Sequence, residues 1–190
     1  MALPSATIEE PLVINNQTVL QKHASFFDRN KDGVIYPWET FQALRAIGLG
    51  VGMSAFAAAI INMGMSGKTR PGKCPNLLFP IEIKNIIKAK RKADTGIYDA
   101  EGNFDAAKFE EIFVKHSSSG TALTEDELLG LMKPRTGLRD YFEWFGGWLG
   151  WKNFYTVCKD KDGLVQKETL RAFYTGAGLF EQIEQERARK

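Results

Sequence analysis

The twelve residues from Asp28 to Glu39 carry oxygen donors at the spacing that a hard metal ion requires. Side-chain oxygens fall at positions one, three, five and twelve of this segment, and a backbone carbonyl is available at position seven. Gly33 stands at position six, where such a loop must turn sharply. The pattern is that of an EF-hand loop, in which Ca²⁺ takes about six to eight oxygens. The predicted calcium ligands are Asp28, Asn30, Asp32, the Val34 carbonyl and Glu39.

Apolar residues recur at helical spacing on both sides of this loop, which predicts a helix–loop–helix unit over residues 19–47. The residues with this spacing are Val19, Leu20, His23, Phe26 and Phe27 before the loop, and Phe41, Leu44 and Ile47 after it. One such unit cannot bury its apolar face alone, so a partner loop is expected. Ile35, at position eight, is the residue expected to pair with it.

Three later segments resemble degenerate copies of the same loop, at residues 97–108, 116–127 and 158–169. Each lacks an oxygen ligand at its first position, so none is predicted to bind calcium tightly. Their predicted role is structural pairing. We expect Ile35 to pair with Val165, and Phe104 to pair with Leu123.

Between Ala46 and Gly67 the chain has no charged residue. A helix of this length could cross a bilayer core, since each residue adds about 1.5 Å. The span is also rich in Gly and Ala and contains polar residues, so a buried core helix is the alternative. Pro71, Pro75 and Pro80 follow the span and predict a turn, because proline cannot continue a helix.

The segment IEIKNIIKAKRK after this turn places isoleucines on one helical face and basic residues mostly on the other. A basic amphipathic helix suits an anionic lipid surface, although it could instead be solvated or serve a protein partner. The order of apolar helix, proline turn and basic helix is expected of a protein that dips into lipid and returns to one side.

Aromatic residues crowd the segment LRDYFEWFGGWLGWKNFY at helical spacing. Trp and Tyr favour membrane interfaces, because one end of each side chain is apolar and the other is polar. Packing in the helical core is the equal alternative, and a cofactor pocket is a third use. The residues on this face are Tyr141, Trp144, Trp148, Trp151 and Tyr155.

These patterns together predict a mainly α fold. It contains EF-hand-like helix–loop–helix units, one intact and up to three degenerate, with a hydrophobic membrane-associated segment and a proline turn. A capping box of Thr124 and Glu127 predicts a helix over Glu125–Met132. The 190 residues are 44% hydrophobic and carry a net charge of +2, which gives no strong electrostatic field to attract nucleic acid.

The predicted division of the chain follows these patterns. It comprises an N-terminal tail (1–18), the EF-hand (19–47), the hydrophobic anchor with the proline turn (46–80), a C-terminal helical domain with degenerate EF-hands (81–183) and a C-terminal tail (184–190).

The sequence HASFFDRNKDGVIYPWETFQALRAIGLG resembles the caleosins, the calcium-binding proteins of lipid droplets. The resemblance continues through LLFPIEIKNIIKAK, YDAEGNF, KDKDGLVQKE and GLFEQI, and so covers about Val19 to Ile183. The family usually has four prolines in its turn, and Leu77 stands here where a further proline is typical.

The resemblance implies a protein of the lipid-droplet or endoplasmic reticulum surface, facing the cytoplasm and embedded in a phospholipid monolayer or membrane. It also implies haem-dependent peroxygenase activity, in which a fatty-acid hydroperoxide supplies oxygen to an unsaturated lipid. Calcium and haem are the implied cofactors, and the formation of homo-oligomers is left open.

The resemblance also points to one histidine. The family's candidate iron ligand and catalytic residue, just before FFD, is His23 here. Arg91 replaces a second family histidine, and His116 falls where the family usually has no ligand. A single histidine with an open opposite side can still support peroxide chemistry.

Two further functions remain open on the sequence. One is a non-enzymatic droplet-coat protein, in which the calcium site controls docking or fusion. The other is a soluble EF-hand sensor that presents residues 46–67 to a protein partner.

Overall fold

The computed structural model describes residues 17–72, 76–89, 95–132 and 141–189. Its fold is mainly helical with a few short strands, as the sequence predicts. The helices are α1 (Val19–Ser25), α2 (Pro37–Ala46), α3 (Val51–Thr69), a 3-10 helix (Ile83–Ala89), α4 (Ala106–His116), α5 (Glu125–Gly130), α6 (Tyr141–Cys158), α7 (Lys167–Thr175) and α8 (Leu179–Ala188). The strands are β1 (Val34–Ile35), β2 (Ile81–Glu82), β3 (Ala122–Leu123) and β4 (Val165–Gln166).

Local sequence sets the start of each helix beside the Asp28–Glu39 loop. Helix α1 begins with a capping box, in which the Thr18 hydroxyl accepts the Gln21 N–H and the Gln21 side chain accepts the Thr18 N–H. Helix α2 begins at Pro37, whose missing N–H costs nothing at a helix start. Two helices therefore enter and leave the loop, in agreement with the sequence.

The strand pairings differ from the sequence prediction. Ile35 pairs with Ile81 of β2 and not with Val165. Leu123 pairs with Val165 of β4 and not with Phe104. The reason for the first pairing lies in α3, since the fully buried Asn62 amide donates to the carbonyls of both Ile35 and Phe79. This places the segment just before β2 beside β1.

A short hairpin explains the position of Phe104. It forms a bridge with Tyr98 across its own turn, so it does not reach Leu123. The capping box of Thr124 and Glu127 is confirmed, with Thr124 N–H donating to the Glu127 carboxylate over 2.8 Å. The helix that follows ends at Gly130, two residues earlier than predicted.

The uncharged span is not one continuous helix. Helix α2 ends at Ala46, a turn containing Gly48 at a φ of +111° follows, and α3 begins at Val51. In the described part of the chain, no helix has the length and apolar character needed to cross a membrane.

Helix α3 has its polar residues inside and many of its apolar residues outside. Its buried face carries Ser54, Asn62, Ser66 and Thr69 together with Ala57 and Ala58. Its exposed face carries Val51, Met53, Phe56 and Met63. One face therefore packs in the core, as the core-helix alternative predicts, while the other face remains exposed.

The segment after the proline turn also differs from its prediction. It forms a 3-10 helix whose Ile83 and Ile86 are buried against α1 and α3, so these isoleucines do not form a surface stripe. Lys84 and Lys88 are exposed, as expected for the basic side. The rest of the predicted amphipathic helix, including Arg91, lies outside the described residues, as does Pro75.

The aromatic segment forms α6, which packs across two clusters of core residues. Trp151 and Phe154 contact the cluster built around Phe109, Phe113 and Leu170. Trp148 and Leu149 of the same helix contact a second cluster, which contains Phe26, Leu44 and Phe180. Core packing, one of the predicted uses of this segment, therefore accounts for these side chains.

Candidate functional site

The loop from Asp28 to Glu39 turns its side-chain oxygens inward onto its own backbone. The Asp28 carboxylate accepts the N–H groups of Asp32 over 3.2 Å and of Gly33 over 2.8 Å. The Asp32 carboxylate accepts the Val34 N–H over 2.8 Å, and the Asn30 amide oxygen accepts the Asp32 N–H over 3.1 Å. Gly33 has a φ of +85°, which explains why glycine occupies this turn.

Glu39 closes the loop from its far end. One of its carboxylate oxygens accepts the Tyr36 N–H over 2.9 Å, and the other accepts the N–H groups of Arg29 over 3.1 Å and Asn30 over 3.3 Å. The structure therefore brings the first and last predicted ligands into one small volume, although they are eleven positions apart in sequence.

Two carboxylates in this loop are buried, with Asp28 only 3% exposed and Glu39 only 2% exposed. Neither makes an ion pair within the described part of the chain. Burying a charge is costly unless a partner or a metal ion compensates it. The same described residues contain no group of three His, Cys, Asp or Glu side chains that could hold a metal. A calcium shell would also use the Asn30 amide and the Val34 carbonyl, which suit this hard cation.

His23 lies on α1, one turn before the loop, inside a group of aromatic rings. Its ring centroid is 4.6 Å from that of Phe173, 5.4 Å from that of Phe180 and 6.4 Å from that of Phe27. Burial among these rings lowers the pKa of His23 to about 4, and a hydrogen bond with the Phe173 backbone opposes the shift only in part. The imidazole is therefore neutral at pH 7, and a neutral imidazole can bind a metal through its free nitrogen.

A cavity of about 370 Å³ lies next to this histidine. Its walls come from distant parts of the chain and are mainly apolar. Residues that line it include His23, Phe27, Ile61, Trp151, Phe154 and Phe173. A volume of this size falls within the range of about 300–1,000 Å³ that is usual for ligand pockets.

Helix α6 faces this cavity with glycines at positions 146, 147 and 150. A Cβ added at Gly150 would meet no atom within 4 Å, so the missing side chain leaves open space. The sequence analysis identified the aromatic side of this helix and missed the glycine side. The signal was the GGWLG run, whose glycines recur at the spacing of one helical turn.

The cavity also has a few polar groups. The hydroxyls of Thr95 and Tyr174 are hydrogen-bonded over 3.0 Å, and Thr40 donates to Asn62 over 2.7 Å. Asn153 lines the same space from α6. His116, the other histidine, ends α4 and is not among the lining residues, so His23 is the histidine that the described structure places at this cavity.

The fold and the site together define a class of protein. It is mainly helical and has a loop of oxygen donors next to an apolar cavity that a histidine lines. The family described as "Caleosin related protein" matches residues 15–184. The chain belongs to the caleosin family, as its sequence resemblance implied.

Named relatives support this membership. "Probable peroxygenase 4" of Arabidopsis thaliana is 52% identical over 172 residues, covering 90% of this chain and 88% of that protein. "Peroxygenase" of Lilium longiflorum is 42% identical over 175 residues, covering 92% of this chain and 73% of that protein. "Probable inactive peroxygenase-like protein" of Arabidopsis thaliana is 36% identical over 148 residues, covering 77% and 70% respectively. No solved structure gives a significant match.

Proposed function

We propose that this protein is a calcium-binding peroxygenase of lipid surfaces, which transfers oxygen from a fatty-acid hydroperoxide to an unsaturated lipid. The observation that carries the proposal is a neutral histidine at the wall of an apolar cavity. The names of two relatives that align over most of this chain point to the same reaction.

His23 is the residue proposed to hold haem, because an uncharged imidazole in apolar surroundings is suited to binding haem iron. Bound haem would supply the oxygen-transfer chemistry. Phe173 and Phe180 pack against the imidazole, hold its position and limit the access of water to it. The apolar walls of the cavity would bind the acyl chain of the substrate through burial of its methylene groups.

Calcium is proposed to bind in the Asp28–Glu39 loop as an EF-hand site. The support is the ligand order in the sequence, together with the burial of Asp28 and Glu39, which no basic side chain of the described residues neutralises. Helix α1 carries both His23 and the entry to this loop, so calcium would order the helix that holds the histidine. The proposed protein keeps the EF-hand at residues 19–47, the anchor and proline turn at 46–80 and the helical domain at 81–183, between two tails.

The lipid surface is proposed to meet the exposed face of α3 and the turn at Leu77. Leu77 is 84% exposed, and Val51, Met53 and Phe56 are also exposed large apolar residues. A group of exposed apolar residues on one part of a protein surface marks an interaction site. A helix that lies along a monolayer needs an apolar face only on the side toward the lipid. The other side of α3, which packs in the protein, can therefore be polar. Droplet or endoplasmic reticulum localisation follows from this proposal.

The test of the catalytic proposal compares two histidine variants. We expect purified wild-type protein supplied with haem to show a Soret band and to consume a fatty-acid hydroperoxide. His23→Ala should lose both, whereas His116→Ala should keep both, because His116 lies away from the cavity. A His23→Ala protein with an unchanged spectrum and unchanged turnover would refute the assignment.

The lipid proposal has its own test. Met53→Gln with Phe56→Gln should reduce flotation with phospholipid-coated oil droplets by about tenfold or more, because burial of each side chain contributes roughly 1.5–3 kcal/mol. Val114→Gln on α4 is the control, since this valine is 68% exposed but lies on another helix. Equal flotation of the double variant and wild type would exclude this face.

A droplet protein without catalysis is the second candidate. It is favoured by the presence of one histidine at the cavity in the described residues and by the similarity to an inactive-named relative. On this alternative, His23→Ala should leave droplet binding and droplet size unchanged, while haem-supplied wild type should show no hydroperoxide turnover.

A further inference from the structure

We propose that Asn153 binds the hydroperoxide group of the substrate and thereby determines which carbon of the acyl chain is held beside His23. Asn153 is a binding and positioning residue in this assignment, which rests on the proposed function. It would explain how an apolar cavity selects an oxygenated chain over a plain fatty acid.

The first support is the chemical mismatch between Asn153 and its surroundings. The residue lines a cavity whose walls are mainly apolar, and its sequence neighbours Trp151 and Phe154 line the same cavity. No hydrogen bond of its amide is recorded within the described part of the chain. Asn153 is half-buried, so its amide can exchange a water for a ligand, and a well-matched hydrogen bond contributes about 0.5–1.5 kcal/mol.

The second support is that three hydroxyl groups lining the cavity, those of Thr40, Thr95 and Tyr174, are already hydrogen-bonded. The hydroxyls of Thr95 and Tyr174 bond to each other over 3.0 Å. Thr40 is fully buried and donates to Asn62. Asn153 therefore differs from these groups, because its donors and acceptor remain available to a ligand.

The third support is position. The Phe173 ring packs against His23 with centroids 4.6 Å apart and against Phe154 with centroids 4.5 Å apart. One ring thus separates the histidine from the residue next to Asn153. A chain lying over Phe173 would therefore pass between His23 and the part of α6 that carries Asn153, and both residues line the cavity.

The chemistry of an amide matches that of a hydroperoxide. The amide NH₂ can donate to a peroxide oxygen, while the amide carbonyl can accept the terminal O–H. A methylene group offers neither partner. A fatty-acid carboxylate could also accept from the NH₂, so the test must separate the two ends of the ligand.

The experiment uses binding, so that it is independent of turnover. Trp151 lines the cavity, and its fluorescence should change when a ligand enters. The probes are a long-chain hydroxy fatty acid, which is a stable analogue of the hydroperoxide, the matching fatty acid without the hydroxyl, and the methyl esters of both. Each probe is titrated into haem-free wild type, Asn153→Leu and Thr156→Val.

We expect wild type to prefer each hydroxylated probe to its plain counterpart by about tenfold, the value of one hydrogen bond. Asn153→Leu should bind both about equally and should remain folded, because leucine has the higher helix propensity. Thr156→Val should retain the preference, since Thr156 is exposed on the same helix and does not line the cavity.

An unchanged preference in Asn153→Leu would overturn the assignment while leaving the proposed peroxygenase function intact. A loss that appears only with the free acids and not with their esters would overturn it too, because Asn153 would then bind the carboxylate. Failure of wild type to bind any of the four probes would overturn both the assignment and the proposed function.

Discussion

At the scale of single residues, Glu39 is the residue of the Asp28–Glu39 loop on which the proposed calcium site most depends. It is almost fully buried, and its two oxygens accept three backbone N–H groups from both ends of the loop. Glu39 is also the residue expected to give two oxygens to calcium. On binding calcium, the Glu39 carboxylate would therefore give up its hydrogen bonds to backbone N–H groups and bind the metal ion instead.

We predict that Glu39→Gln weakens calcium binding by at least about tenfold, because a neutral amide replaces the two-oxygen ligand. Isothermal titration calorimetry measures the change. Glu127→Gln is the matched control, since Glu127 holds position twelve of a degenerate loop and its carboxylate instead accepts the Ser118 and Thr124 N–H groups. Unaltered affinity in Glu39→Gln, or an equal loss in Glu127→Gln, would contradict the assigned site.

His23 gives a second prediction at this scale, for the protein without haem. Its pKa is lowered to about 4 by burial, from an ordinary value near 6.5, so the folded state resists its protonation. Stability is then fully present above pH 6.5 and decreases as the pH falls. Between pH 6.5 and 5 the free energy of unfolding should fall by up to about 2 kcal/mol.

Urea denaturation at several pH values measures this decrease, and His23→Phe should reduce it. The control is His116→Phe, which should keep the wild-type pH dependence. A wild-type free energy of unfolding that is constant from pH 6.5 to 5 would show that His23 is not held neutral by the fold.

The proposed calcium ligands could be read from sequence because they lie within one loop and follow a fixed spacing. The cavity could not be predicted, because α1, α6 and α7 contribute its walls from distant positions. In sequence, residues such as Phe154 and Phe173 cannot be distinguished from core residues. The missing side chains at Gly146, Gly147 and Gly150 become meaningful only when α6 is placed beside His23.

At the scale of elements, α3 shows why hydropathy alone does not predict how an uncharged helix packs. The absence of charge between Ala46 and Gly67 predicted either a membrane helix or a core helix. The structure instead satisfies Asn62 inside the protein through Thr40 and two backbone carbonyls. That one amide also decided the pairing of β1 with β2, which the loop pattern could not reveal.

We therefore predict that Asn62→Leu destabilises the fold by about 3 kcal/mol, although leucine is more hydrophobic and a better helix former. The change leaves the Thr40 hydroxyl and the carbonyls of Ile35 and Phe79 without their partner, and unsatisfied buried groups are costly. Met63→Gln, one position along and exposed, should alter stability by less than about 0.5 kcal/mol. Chemical denaturation measures both, and a stable Asn62→Leu protein would contradict this account of α3.

At the scale of the whole molecule, α8 connects the Asp28–Glu39 loop to the cavity. Arg29 of the loop makes a two-point ion pair with Glu184, at 2.7 and 3.1 Å. One turn earlier on α8, Phe180 packs against His23, Phe26, Phe27 and Phe173 with ring centroids 5.2–5.9 Å apart. The loop is thus in direct contact with the helix that packs over His23, so a rearrangement of the loop can reach the histidine through α8.

We predict that Phe180→Ala lowers the free energy of unfolding by about 3 kcal/mol, the usual cost of removing a buried aromatic ring. It should also raise the pKa of His23 from about 4 toward 6.5, because water gains access to the imidazole. NMR titration of the histidine ring protons measures the shift. Phe56→Ala, at an exposed position, should change neither quantity, and an unshifted His23 pKa in Phe180→Ala would show that other rings exclude the water.

The position of α8 in the chain has a consequence for biosynthesis. This helix is translated after every other described element, yet its Phe180 completes the ring of side chains around His23. While α8 is still within the ribosome, the emerging chain holds an uncovered histidine and an Arg29 that lacks its carboxylate. Closure of this wall therefore follows synthesis of all the other described elements, and a chain stalled just before α8 would present an open site to any prosthetic group.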